Sequence, residues 1–185
     1  YRRLRNLGGP KDIARKLRQK KREQEAKKLH GTASFPSPEE AARQRDTKFE
    51  HMVKISILVP LYNTPMQFLN EMIESVMNQT YQNWELCLAD GSDDGHAQVG
   101  VRCKEYAAKD QRIVYHKLAK NEGIAGNTNE CYKLATGEYI GLFDHDDVLH
   151  PSVLYENVKV SNEQKAEYSY CEESTFKSDS SDDML

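Results

Sequence analysis

From residue 54 onward the chain alternates two patterns: short apolar runs, and longer stretches whose apolar residues recur every three or four positions. Ile55, Ile57, Leu58 and Val59 form the first run, closed by Pro60, as expected of a buried strand. Thr64 and Pro65 then read as a helix start, with Thr64 as N-cap and Pro65 at the first helical position. Phe68, Leu69, Met72, Ile73, Val76 and Met77 follow at helical spacing. The same reading predicts strands at Trp84–Ala89, Ile113–His116 and Glu138–Phe143, the last apolar from Tyr139 and expected to be buried. It predicts helices at Val99–Ala108 and Gly123–Ala135, a further helix beginning at Pro151, and a fifth strand at Tyr168–Cys171.

Strands alternating with helices imply βαβ units, hence an α/β fold with a mostly parallel, Rossmann-like sheet and helices on both faces. In such sheets ligands bind beyond the carboxyl ends of the strands. The polar clusters lie there: Pro60–Asn63 after the first strand, Asp90–Asp94 after the second and Asp144–Asp147 after the fourth.

The flanks differ. Residues 1–29 read as a basic helix with a break at Gly8, Gly9 and Pro10, followed by a linker with a short helix near Glu39–Arg45. The expected division is a basic arm and linker over 1–50, an α/β domain over 51–172, and an acidic, poorly ordered tail over 173–185. The first thirty residues hold 12 Lys and Arg against three Asp and Glu. The rest of the chain therefore holds 14 of the 26 basic residues and 26 of the 29 acidic ones. An acidic domain repels nucleic acid, so no nucleic-acid partner is expected. The arm can be a solvated charged segment, or it can hold residues 1–30 against an anionic membrane surface.

No apolar run approaches the roughly 18–20 residues that span a bilayer. The start at Tyr1, without a signal-peptide core, leads to the expectation of a fragment or processed form of a cytoplasmic protein, peripheral at most to the inner face of the membrane. Cys87, Cys103, Cys131 and Cys171 have no CxxC spacing and read as free thiols in a reducing compartment.

Asp144-His145-Asp146-Asp147 is the sharpest local signal. Three carboxylates in four residues repel unless solvent or a cation relieves them, and a hard dication would suit their oxygens. They would equally complement the dipole of the helix that follows. Asp90, before Gly91-Ser92, could accept from a nucleobase N–H or cap its own turn. Pro60-Leu61-Tyr62-Asn63 offers a rigid start, an aromatic face and an amide, or merely a strand-to-helix turn. Around Asn121, Gly123 and Gly126 small residues suit either a ligand's close approach or a tightly packed helix start.

The blocks together say more than each alone. ILVPLYNTP, then QTYQNWELCLADGSDDG, then NEGIAGNTNECYKLATGEYIGLFDHDD, in that order over roughly residues 53–172, resembles family 2 glycosyltransferases of the GT-A fold. The resemblance implies a metal-dependent, inverting transfer of a sugar from a UDP- or dTDP-linked donor to a glycan or lipid-linked acceptor, in polysaccharide or cell-envelope synthesis. It implies a nucleotide site at Pro60, Leu61, Tyr62, Asn63, Asp90, Asn121, Gly123, Gly126, Asp144 and His145. Mn²⁺ or Mg²⁺ would be held by Asp146, the main ligand, with Asp144. Two departures stand out. Ala89 replaces the second Asp that many relatives carry before the position of Asp90. The family's catalytic base lies well downstream of the acidic motif, so it is expected beyond the end of this chain. The alternative is a non-catalytic nucleotide-binding or regulatory module lacking the acceptor half.

Overall fold

The computed structural model describes residues 35–171. The basic helix expected over 1–29 and the acidic tail expected over 173–185 lie outside the described residues. Four strands form one parallel sheet: β1 (Ile55–Leu61), β2 (Trp84–Asp90), β3 (Ile113–Lys117) and β4 (Tyr139–Leu142), in the order β3-β2-β1-β4. Five helices accompany them: α1 (Pro38–Asp46), α2 (Met66–Met77), α3 (Gln98–Lys109), α4 (Gly123–Leu134) and α5 (Val153–Gln164).

The strand order explains the helix placement. From β1 to β2 to β3 the chain moves outward in one direction, so right-handed crossovers put α2 and α3 on the same face. It then crosses back to pair β4 with the opposite edge of β1, and the helix of that reversed crossover, α4, falls on the other face. The cores agree. Ile55, Ile57, Val59 and Leu61 of β1 alternate onto a core shared with α2, α3 and α5. Leu58 points the other way, to a smaller core with Cys87, Ala89, Leu118 and Cys131 under α4. Helix α2 buries Leu69, Met72, Ile73 and Val76 in the larger core, each worth about 2 kcal/mol of apolar transfer.

Four expectations need correction. Thr64 does not cap α2. The cap position is Pro65, with no side-chain bond, and the Thr64 hydroxyl is buried without a partner among the described residues. Strand β4 is not buried. It pairs with β1 alone among the described strands, and Ile140 and Leu142 are exposed on the face that α4 leaves uncovered. Residues 168–171 form no strand, since no described strand offers them a partner. Helix α1, assigned to the linker by its sequence, packs on the body: the Thr80 hydroxyl donates to the buried Gln44 side chain at 2.7 Å, and the compact unit begins at Pro36.

The amino-terminal end of the sheet is tied by a buried charge. Glu85 is 4% exposed on the α4 face and accepts from Lys54 Nζ at 2.5 Å, Ser56 Oγ at 2.6 Å and the Thr136 backbone N–H at 2.5 Å. Ser56 Oγ also accepts from the Gly137 N–H at 2.8 Å, so the turn into β4 is fixed to β1 and β2 together. A Cβ at Gly137 would lie 2.6 Å from that hydroxyl, so the turn requires glycine.

Candidate active site

Strand order reverses between β1 and β4, and a crevice opens at their carboxyl ends. It holds a cavity of about 290 Å³ lined by Pro60, Leu61, Tyr62, Asn121, Gly123, Ile124, Asn127, Asp144, His145 and Asp146. Three loops distant in sequence thus meet at one sheet edge. Eight of the residues singled out in the sequence line the cavity. Asn63, Asp90 and Gly126 do not. Ile124 and Asn127, not singled out there, do.

Asn63 and Asp90 hold the walls in place. Asn63 takes a left-handed conformation, φ 52°, which asparagine tolerates well. Its N–H donates to Ser92 Oγ at 2.9 Å and its Nδ2 to Asp93 at 2.9 Å, while its Oδ1 accepts from the Asp93 N–H at 3.1 Å. The loops after β1 and β2 are therefore joined reciprocally. The Asn63 bond and the His96 ring at 2.7 Å hold the Asp93 carboxyl below the usual carboxylate range, His96 contributing most.

Asp90 is 1% exposed. One carboxylate oxygen accepts from the Ser92 N–H at 2.8 Å, and the other from the Tyr115 hydroxyl at 2.9 Å, with Lys117 Nζ 3.8 Å away. Burial, and then Asp90, push the Tyr115 phenol well above its ordinary pKa. Lys117 also donates to the carbonyl oxygens of Asp90 and Ser92. The carboxylate expected to read a base is thus engaged within the fold. Gly100 on α3 makes room, because a Cβ there would fall on the Tyr115 hydroxyl.

The third wall is the start of α4. Gly123 has φ +76°, a conformation that favours glycine. Gly126 instead serves packing, since its missing Cβ leaves space for the Glu122 side chain. Asn127 is 2% exposed, and its amide joins β1 to the loop: Nδ2 donates to Leu61 O at 3.4 Å and to Asn121 Oδ1 at 3.0 Å, and Oδ1 accepts from the Glu122 N–H at 3.0 Å. The signal for Asn127 was present in the sequence. It shares the buried stripe of α4 with Cys131, four residues on, and a polar residue on an apolar stripe calls for partners.

On the fourth side stand Asp144 and Asp146, both exposed, with no side-chain hydrogen bond or ion pair among the described residues. His145 between them is half-buried, and its Nδ1 is buried without a partner among the described residues. No group of three or more His, Cys, Asp and Glu side chains among the described residues is arranged to hold a metal ion. Two unpaired carboxylates nonetheless suit Mg²⁺ or Mn²⁺, which commonly takes one or two protein carboxylates and completes its shell with phosphate and water.

The model of glycosyl transferase family 2 matches residues 56–177. The chain belongs to that family. The family match spans all three segments that line the cavity. Uncharacterized protein y4gI of Sinorhizobium fredii is 43% identical over 106 residues, covering 57% of this chain and 12% of that protein. Mannosyltransferase PcManGT from Pyrobaculum calidifontis, solved with GDP-Man and Mn²⁺, superposes with a TM-score of 0.52 at 21% identity, over 65% of this chain and 37% of its own. S. aureus TarS 1–349 in complex with UDP-GlcNAc superposes with a TM-score of 0.54 at 23% identity, over 60% and 32%. These structural likenesses establish the GT-A fold for this glycosyltransferase-family chain. The chain spans 12% of the y4gI protein and about a third of each of the two structures.

Proposed function

We propose that the chain binds the donor in a metal-dependent, inverting transfer of a sugar from a nucleotide-diphosphate sugar, UDP- or dTDP-linked, to a hydroxyl of a glycan or lipid-linked acceptor. One observation carries this reading: the loop after β1, the start of α4 and the acidic loop after β4 converge on a single cavity at the switch point. Solved structures of the same fold bind GDP-Man with Mn²⁺ and UDP-GlcNAc, which supports a sugar-nucleotide ligand here.

In this reading Pro60 and Leu61 floor the nucleoside pocket, and Tyr62, 46% exposed, offers its ring for stacking. Asn121 and the backbone at Gly123 border the base and ribose. Asp90, with Asn63, holds the pocket in shape. Asp146 and Asp144 would bind Mn²⁺ or Mg²⁺, which neutralises charge on the departing nucleoside diphosphate. The acceptor oxygen forms the new bond to the anomeric carbon as the bond to the diphosphate oxygen breaks, and the acceptor proton passes to a base. No described residue is assigned as that base. The basic stretch of residues 1–30 supports a peripheral contact with the cytoplasmic face of a membrane; no described helix is long and apolar enough to cross one.

Isothermal titration with UDP, dTDP and GDP, with and without Mn²⁺, tests the reading. Binding of UDP or dTDP should strengthen with Mn²⁺, and Asp146→Ala should remove the metal-dependent gain without lowering the melting temperature. Heat-free titrations with all three nucleotides would refute it.

A further inference from the structure

Amide polarity is transmitted from the backbone to the cavity wall through two asparagines. The orientation of Asn127 is dictated by groups that cannot change role: the Leu61 carbonyl can only accept and the Glu122 N–H can only donate. Nδ2 of Asn127 therefore faces Asn121, and the oxygen of Asn121 must turn toward it, at 3.0 Å. The Gly123 N–H, donating to the same oxygen at 2.9 Å, reinforces that choice. Oδ1 of Asn121 is thereby committed twice. Its Nδ2 amino group has no partner among the described residues, on a side chain that lines the cavity.

Resting on the proposed function, we propose that Asn127 is a positioning residue that fixes Asn121 as a hydrogen-bond donor, so that this wall takes an acceptor oxygen of the donor nucleotide. That oxygen belongs to a keto group of the base or to the ribose-diphosphate. Asp90 lies outside the cavity lining, one of its oxygens accepting from the Ser92 N–H and the other from the Tyr115 hydroxyl. Gly91 belongs to the same device, since a Cβ there would stand 2.9 Å from Asn127 Nδ2 and 3.0 Å from the Asn121 Cα. A buried amide held by three partners loses little further freedom when the ligand arrives, which is what pre-organisation requires.

The test is a double-mutant cycle read by titration of the full chain with UDP and with CDP, both with Mn²⁺. Asn121→Ala should weaken UDP about tenfold, the worth of one well-placed bond. Asn127→Ala should weaken UDP severalfold in the native background and not at all when Asn121 is already Ala. An effect on UDP but not CDP assigns the acceptor to the base carbonyl that CDP lacks. An equal effect on both assigns it to an oxygen the two share, the base O2 or the ribose-diphosphate. Equal weakening by Asn127→Ala in both backgrounds, or none from Asn121→Ala, overturns the inference while leaving the proposed function standing. A native chain that binds no nucleoside diphosphate overturns both. Should Asn127→Ala fail to fold, Asn121→Asp decides: it keeps the accepting oxygen and replaces only the amino group. Loss of UDP at an unchanged melting temperature supports the inference, and retained UDP binding overturns it.

Discussion

Glu85→Gln isolates the charge that fastens the amino-terminal end of the sheet. Burial alone would raise the Glu85 pKa, but bonds from Lys54, Ser56 and Thr136 more than offset it and hold the carboxyl at about 2, against an ordinary 4.5. The native state thus favours the ionised form. The resulting stability is fully present above pH 4.5 and is lost as pH falls through about 2. At about 1.4 kcal/mol per pK unit, a drop from 4.5 to about 2 contributes roughly 3 kcal/mol at neutral pH. Glutamine keeps the shape and removes the charge, while Lys54, 38% exposed, can turn to water. The variant should therefore be roughly 3 kcal/mol less stable at pH 7 and only about 1.4 kcal/mol less stable at pH 3. Urea unfolding can be followed through Trp84, the single tryptophan of the chain, buried one position before Glu85. A variant within about 0.5 kcal/mol of native at pH 7, or a gap that stays constant from pH 7 to pH 3, would refute the linkage argument.

Three further outcomes follow from the packing. Gly100→Ala drives a methyl onto the Tyr115 hydroxyl and should cost about 1–3 kcal/mol in urea unfolding while loosening the Tyr115–Asp90 bond. Thr64→Val replaces a buried hydroxyl that has no partner among the described residues, so its melting temperature should be unchanged or raised, against the usual loss when a bonded threonine is replaced. Burial pushes the Cys87 and Cys103 thiols to about 12 and Cys131 to about 11, so an aromatic disulfide reagent should titrate only Cys171 in the native protein and all four thiols in denaturant.

The alternation of apolar runs and helical stretches was enough to recover the four described strands, because β1 and β2 are buried on both faces and read as apolar runs interrupted inside only by Ser56 and Glu85. It misled at β4. An apolar run such as Tyr139–Leu142 looks the same whether a helix covers it or not, and edge position depends on strand order, which periodicity does not encode. The three site loops were legible from their place at strand ends. The state of Asp90 was not, because its partner Tyr115 arrives from β3, 25 residues later, and its clearance depends on Gly100 in α3. Asn127 was overlooked for the opposite reason: three asparagines stand between residues 121 and 129, and only the burial of one side of α4 separates the strut from its neighbours.

The reciprocal Asn63–Asp93 clasp bears on how the crevice could adapt to guests of different size. That clasp and the Asn127–Leu61 bond tie the loops after β1 and β2 and the start of α4 into one block. The acidic loop joins that block through the Phe143 N–H donating to Leu58 O at 3.2 Å, and beyond that point its Asp144 and Asp146 side chains carry no tether among the described residues. Any adjustment that admits a bulkier sugar would fall on those two side chains, so ligand size and cation affinity would be coupled through the same pair of carboxylates.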